Sequence, residues 1–317
     1  MEGLVSTIIP VYNRGAFLRT AVASVVAQTW RPIEIVIVDD GSTDDTPQVV
    51  VDLQSLHPDW IRLVRQENAG PGAARQAGLE VARGEFVQFL DSDDLLLPEK
   101  FEVQVTGLRG DRDAGIAYGK TYTRTSGSRL QVPAQRSGEN HRHLFPTVLT
   151  GRLWETSTPL YRRSALDCIG PWSDGRQLED WEFDCRAAAA GIQLHYCDSY
   201  VAEYINHDGD RLCHAWRSDP DAMRDRVDAY IRVMGHAQRA GISPQATEMQ
   251  EFVRSLFWMA REAGAYGLPR QAKLLFDLAR ANALRSGWDY RVFALAAATL
   301  GWVRAGKLAQ LAGRWRR

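Results

Sequence analysis

Apolar positions along the first hundred residues come in short, nearly unbroken runs, separated by stretches in which they recur every three or four positions. The runs Val5 to Val11, Ile33 to Val38, Ile61 to Arg65 and Glu85 to Leu90 read as strands. The intervening stretches Ala16 to Gln28, Thr46 to Leu56 and Ala73 to Ala82 read as helices. Strands alternating with helices at this spacing predict a mostly parallel α/β sheet with helices on both faces, binding ligands at the carboxyl ends of its strands. From about Thr123 to Pro146 the periodicity gives way to Ser, Gly, Arg and His, which predicts a long surface loop. Beyond Trp216 the pattern is helical throughout. Asp219-Pro220 and Ser243-Pro244 each resemble an N-cap followed by proline at the first helical position. Met223, Val227, Tyr230, Ile231 and Met234 fall on one helical face, as do Met249, Phe252, Val253, Leu256, Phe257 and Ala260. The division expected is therefore an α/β domain over 1–215 and an α-helical region over 216–317.

The 317 residues provide ample material for such a core. With 38 basic and 39 acidic residues the net charge is -1, which gives none of the field that a nucleic-acid binder uses. Hydrophobic residues at 45% and charged residues at 24% fit an ordinary globular protein and exclude a membrane bundle. Cys168, Cys185, Cys197 and Cys213 form no C-x-x-C pair, so reduced, inert thiols are expected. No charged-then-apolar leader precedes the first strand, and the expectation is a cytoplasmic protein.

Candidate chemistry lies at the predicted strand ends. Phe89-Leu90-Asp91-Ser92-Asp93-Asp94 carries an apolar strand directly into three carboxylates. Acids at i and i+2 can converge on a hard divalent cation that keeps positions open for phosphate oxygens, although a solvated acidic turn has the same composition. An EF-hand is excluded, because Leu95 and Leu96 stand where that loop needs an oxygen ligand and a glycine. Val38 to Asp44 again places acids at a strand end, in residues that also suit a plain turn. Asn68 to Gly78 is a glycine-rich entry into a helix, but Arg75 occupies the third glycine position of a dinucleotide fingerprint. A phosphate-cradling loop before Lys120 fails because Ala114 replaces its first glycine.

Taken in order, Pro10-Val11-Tyr12-Asn13, Val38 to Asp44, Asn68 to Gly78 and Gly84 to Asp94 resemble the family 2 glycosyltransferases, which have the GT-A fold. The resemblance covers roughly Val5 to His214. It implies a nucleotide site drawn from Pro10, Tyr12, Asn13, Asp40, Asn68, Gly70, Arg75, Asp91 and Ser92. Within it Tyr12 and Asp40 would contact the base, and Asp91 would lie near the ribose. Asp93 would bind a Mn2+ or Mg2+ ion bridging the diphosphate, with His207 as a second metal-side residue. Two positions depart from the pattern: Gln76 stands where the family usually has Asn, and Asp210 where it often has Ser.

An acceptor hydroxyl needs a base, and a positioned carboxylate typically supplies about 10² to 10⁴ in rate. Leu178-Glu179-Asp180-Trp181-Glu182 resembles the family's E-D motif, which makes Asp180 the candidate base; as residues alone, the same stretch reads as the N-cap of a helix running to Ala190. His141 and His143 lie in the polar loop and carry no assigned role. After Asp289 there is no acid, while Arg291, Arg304, Lys307, Arg314, Arg316 and Arg317 are basic. The apolar stretch Val292 to Val303 is too short to span a bilayer, which needs about 20 residues. It reads as a core helix, or as a segment lying on an anionic membrane surface with Trp302 and Trp315 near the headgroups.

The sequence thus predicts an inverting, metal-dependent transferase. It would move sugar from a nucleoside diphosphate, by family resemblance a UDP-sugar, to a hydroxyl of a glycan or lipid-linked acceptor in cell-surface polysaccharide synthesis. A haloacid-dehalogenase-like phosphatase shares the D-x-D after an apolar strand, but usually has it on the first strand with Thr or Val in place of Leu95. A catalytically silent nucleotide-sugar binding module is the other alternative.

Overall fold

A computed structural model describes residues 2–125, 127–206, 219–285 and 287–314. They group into two compact units, a sheet unit of Met1–Leu144, Arg152–Asp174 and Ala190–Gly209, and a helical unit of Phe145–Gly151, Gly175–Ala189 and Asp210–Arg317. Two stretches that precede residue 216 thus pack with the C-terminal helices.

In the sheet unit, β1 (Val5–Val11), β2 (Ile33–Asp39), β3 (Ile61–Arg65) and β4 (Phe86–Phe89) alternate with α1 (Gly15–Val26), α2 (Thr46–Leu56) and α3 (Pro71–Val81), close to the pattern read from the sequence. There follow β5 (Leu95–Leu96), α4 (Lys100–Gly110), β6 (Ala114–Thr125), β7 (Ser128–Arg129), β8 (Leu160–Arg162), α5 (Arg163–Ile169) and β9 (Gln193–Asn206). The strand order is β3-β2-β1-β4-β8-β6-β9-β5, with β7 paired to β6. The ladders β3-β2-β1-β4 and β6-β9 are parallel, and β8, β5 and β7 pair antiparallel. Burial explains the composition. Strands β2 and β4 are buried at every position, as apolar runs covered on both faces must be. The edge strand β3 instead exposes Arg62 and Arg65, which blunt its free edge. Because β2 and β4 flank β1 on opposite sides, the chain reverses direction across the sheet at β1, and the carboxyl ends of these strands border the crevice such a reversal creates.

Helix α3 lies close on this sheet because residue 78 is glycine. A Cβ there would stand 2.4 Å from the Ile8 Cγ2 and 3.0 Å from the Val38 Cγ2, so a larger side chain would push the helix off β1 and β2. Under α4 the core carries a polar seam. Lys100 is 1% exposed and its Nζ donates to Gln104 Oε1 and the Thr158 carbonyl, each at 2.7 Å. Burial among these uncharged partners pushes its pKa well below that of an ordinary lysine.

The stretch expected as a surface loop is more structured than its composition suggests. Strand β6 runs into it and turns back through β7, and Ser137 is fully buried, its Oγ accepting from Thr121 N at 3.1 Å. Small polar side chains that satisfy backbone donors can be internal without any apolar periodicity to reveal them.

The helical unit holds a 3₁₀ turn at Thr147–Thr150 and the helices α6 (Glu179–Ala189), α7 (Pro220–Arg239), α8 (Thr247–Ala265), α9 (Pro269–Asn282), α10 (Trp288–Leu300) and α11 (Trp302–Arg314). Asp219 caps α7 as predicted, accepting from Asp221 N at 2.9 Å. Ser243-Pro244 does not start a helix: Ser243 closes a turn by accepting from Ala246 N, and α8 begins at Thr247. The six apolar positions predicted for α8 are all buried.

Candidate active site

Three strand ends and the turns beyond them build the site in the sheet unit. At the end of β1, Asn13 adopts φ +52, a left-handed conformation that asparagine tolerates better than most residues. Its N–H donates to Ser42 Oγ at 3.0 Å, and its Oδ1 accepts from Thr43 N at 2.8 Å. Asn13 therefore fastens the turn after β1 to the turn after β2, leaving Tyr12 beside it 45% exposed.

At the end of β2, Asp39 Oδ1 accepts from Ser42 N at 2.9 Å and closes its own turn. Asp40 reaches the other way. One carboxylate oxygen accepts from Gln66 Nε2 and Ala69 N, both at 2.8 Å, and the other from Gly70 N at 2.9 Å. Its acceptor capacity serves the turn that leads from Asn68 to Gly70 and into α3. Gly70 caps that helix and Pro71 opens it.

The acidic run at the end of β4 divides into two roles. Asp94 is buried, its carboxylate receiving hydrogen bonds from Ser157 Oγ at 2.9 Å and Ile205 N at 3.1 Å. Burial raises its pKa well above the usual carboxylate value, and the neighbouring Asp91, Asp93 and Glu155 raise it further. Asp94 thus ties the strand end to β9 and the 157 segment. Asp91 and Asp93 are instead partly open, with side chains 34% and 15% exposed, and each meets an arginine. Arg75 donates to Asp91 Oδ1 at 2.8 Å from a side chain only 4% exposed. Arg14, at 26% exposure, pairs with Asp93. Ser92 between them is buried.

Trp172 holds Arg75 in place. The guanidinium lies 4.9 Å from its ring centroid, and Gln76 Oε1 accepts from Trp172 N at 3.1 Å. The departure at Gln76 thereby has a physical use, because glutamine has the reach to grip the backbone of Trp172 while Arg75 stacks on its ring.

Asp91 and Asp93 supply the hard oxygen donors that Mg2+ or Mn2+ prefers, and such ions are commonly held by one or two carboxylates with phosphates and water completing the shell. Among the described residues no group of three His, Cys, Asp or Glu side chains stands ready to hold a metal. His207, the other expected metal-side residue, lies outside the described residues, as do Asp210 and Cys213.

Asp180 belongs to the helical unit. Helix α6 starts at Glu179, so Asp180 occupies its first turn rather than the N-cap, and its Oδ1 accepts from Trp181 N at 2.7 Å. Leu178, immediately before the helix, sits at φ +59, a conformation costly for a leucine and of a kind found where a neighbouring group must be aimed. Trp181 Nε1 donates to the Val148 carbonyl at 2.7 Å, and its ring meets Tyr230 and Phe252 edge-on. Next to it, buried Glu182 accepts from His236 Nε2 at 2.7 Å and pairs with Arg186 at 3.1 Å. Burial opposes the charge on Glu182, but the His236 hydrogen bond and the Arg186 charge outweigh it and hold its pKa below the ordinary value.

Sequence reasoning missed Arg14, Asp94, Trp172 and the Glu182–His236 pair. Arg14 directly follows the Tyr12-Asn13 signal and was within reach of it. Nothing in sequence separates buried Asp94 from its open neighbours, and Trp172 and His236 meet their partners only through tertiary packing.

The likeness to solved structures supports the fold. The chain resembles S. aureus TarS 1-349 in complex with UDP-GlcNAc at a TM-score of 0.63 and 20% identity, over 94% of this chain and 92% of that one. It resembles the mannosyltransferase PcManGT from Pyrobaculum calidifontis, in complex with GDP-Man and Mn2+, at a TM-score of 0.55 and 20% identity, over 97% and 86% of the two chains. In sequence, an uncharacterized glycosyltransferase of Nostoc sp., alr2836, is 36% identical over 183 residues, 54% of this chain and 57% of that protein. The chain spans less than two thirds of the length of the curated relatives it matches. The profile of Glycosyl transferase family 2 matches residues 6–170, just over half of the chain, and the strand-end motifs described above fall within it. The chain belongs to glycosyl transferase family 2 and has the GT-A type fold.

Proposed function

We propose that the protein is an inverting, metal-dependent glycosyltransferase, moving a sugar from a UDP-linked donor to a hydroxyl of a glycan or lipid-linked acceptor in cell-surface polysaccharide synthesis. The observation that carries the reading is the pair of open carboxylates, Asp91 and Asp93, presented at the end of β4 on a family 2 chain. A bound Mn2+ or Mg2+ would neutralise the diphosphate as it leaves. Asp93 would hold the ion, His207 would stand on the metal side, and Arg75 would keep Asp91 oriented. Pro10, Tyr12, Asn13, Asp40, Asn68, Gly70 and Ser92 would shape the nucleotide pocket, the exposed ring of Tyr12 offering a face for the base. Asp180 would take the proton from the acceptor hydroxyl. The UDP-GlcNAc in the TarS complex and the Mn2+ in the PcManGT complex lend support to donor and metal.

Thermal denaturation with a panel of nucleotide sugars, with and without Mn2+, tests the reading. A ligand at 100 times its Kd stabilises the native state by about 2.7 kcal/mol, so the expected result is a melting point raised by one nucleotide sugar only when metal is present. Stabilisation that ignores metal rejects the metal role. Phosphate release from simple phosphomonoesters, with no nucleotide effect, favours the phosphatase. A bound donor that is neither transferred nor hydrolysed favours the silent module.

A further inference from the structure

The C-terminal helices leave apolar surface uncovered to an unusual degree. Seven of the sixteen large hydrophobic side chains exposed among the described residues lie between Leu284 and Leu311. On α10 the inward face accounts for the packing: Tyr290 stacks on Phe257 with ring centroids 4.1 Å apart, and Phe293 and Ala297 are buried with it. The opposite stripe, Trp288, Val292 and Leu295 at positions i, i+4 and i+7, is 67%, 54% and 67% exposed. Helix α11 repeats the arrangement. It rests on α8 through small residues, since a Cβ on Gly306 would stand 2.3 Å from Ala265 N and one on Gly264 would stand 2.6 Å from the Trp302 carbonyl oxygen. Its leucines are therefore not what docks it. Arg304, Leu308 and Leu311 share the outward face at i, i+4 and i+7, with Lys307 alongside.

Charge selects the occupant. From Trp288 to Leu311 the exposed charges among the described residues are Arg291, Arg304 and Lys307 against the single acid Asp289, and the charged residues beyond them in sequence are all arginines. A second copy would set these cations against their own equivalents, whereas an anionic lipid surface brings the opposite charge together with an apolar layer. No described helix is long and apolar enough to cross a membrane. We infer that α10 and α11 form a peripheral membrane-docking surface, their apolar stripes entering the headgroup boundary while Arg291, Arg304 and Lys307 meet anionic lipid. Vesicle binding can be read without sugar transfer, so the two can be tested apart.

Co-sedimentation of the full chain with vesicles provides the test. Binding is expected to equimolar phosphatidylcholine and phosphatidylglycerol, to be absent with phosphatidylcholine alone, and to fall as salt rises. Arg304→Gln with Lys307→Gln should weaken partitioning by about fivefold per cation removed. Leu295→Gln with Leu308→Gln should weaken it at unchanged melting temperature, because both side chains are exposed. No binding to anionic vesicles at low salt overturns the inference. So does binding indifferent to both pairs of substitutions, or a concentration-dependent dimer that Leu295→Gln dissolves, which would give the stripe to a second copy.

Discussion

In the sheet unit, Asp91 and Asp93 stand on a turn held by the hydrogen bonds that Asp94 accepts from Ser157 Oγ and Ile205 N and by one arginine apiece, while Asp40 and Asn13 brace the neighbouring turns. In the helical unit, Asp180 rides on a helix fixed from behind, by the Trp181 ring among aromatics and by the Glu182–His236 hydrogen bond. The first kind of support converges on short sequence motifs, although its partners come from elements as far as 111 residues away. The second holds a single helix, with 54 residues separating Glu182 from His236. Sites on turns can therefore be read from sequence and broken by single turn residues. On the proposed reading, a helix-borne acid is tested most directly by changing the acid itself.

The largest effect expected from this contrast is at Asp180. Asp180→Asn keeps an oxygen for Trp181 N and removes the proton acceptor, so transfer should fall by about 10² to 10⁴ while melting temperature and donor binding stay unchanged. Steady-state kinetics beside calorimetry checks this, and near-normal turnover would reduce Asp180 to a helix-terminus residue.

A smaller effect, on stability, comes from the sheet unit. Gly78→Ala must force α3 away from Ile8 and should cost about 1 to 3 kcal/mol in denaturant unfolding, with the nucleotide turn disturbed because the same helix carries Arg75. An unchanged unfolding midpoint would mean that the α3–β1 contact is looser than its geometry indicates.

The strands β1 to β4 and the three helices between them were legible because burial on both faces imposes unbroken apolar runs and a parallel sheet imposes the alternation. The strand-end acids were legible through the ordered set of motifs that resembles the family, since as residues alone they suit a solvated turn equally well. The fates of those acids were not. Asp91, Asp93 and Asp94 look alike in sequence, yet one is buried by Ser157 and Ile205, and only folding brings those partners together. Ser243-Pro244 carried a sound local signal for a helix start, but Ser243 satisfied a turn donor first. The internal part of the 123–146 stretch escaped notice because polar burial leaves no period.

Lys100 gives a pH test of the buried seam. Its folded pKa is depressed, so between that value and about 10.5 the unfolded chain binds a proton the folded chain does not, and stability rises with pH across this window. The slope from one group approaches about 1.4 kcal/mol per pH unit. Lys100→Met should remove that slope from unfolding measured at pH values just below 10.5.

The smallest expected effect concerns Arg14, which pairs with the carboxylate assigned to metal. On that reading the ion must displace Arg14, so Arg14→Gln should tighten Mn2+ binding by about two- to fivefold, as loss of a partly exposed ion pair allows. Manganese paramagnetic resonance titration reads this directly, and weaker binding would make Arg14 a supporting rather than a competing group.

Calorimetric titration of UDP into the protein, with and without Mn2+, bears most directly on the assignment of donor binding to the β4 strand end and proton transfer to α6. UDP binding should require Mn2+ in the unaltered chain, vanish in Asp93→Ala and persist in Asp180→Asn. Equal UDP affinity without metal, or undiminished metal-dependent binding in Asp93→Ala, would contradict it.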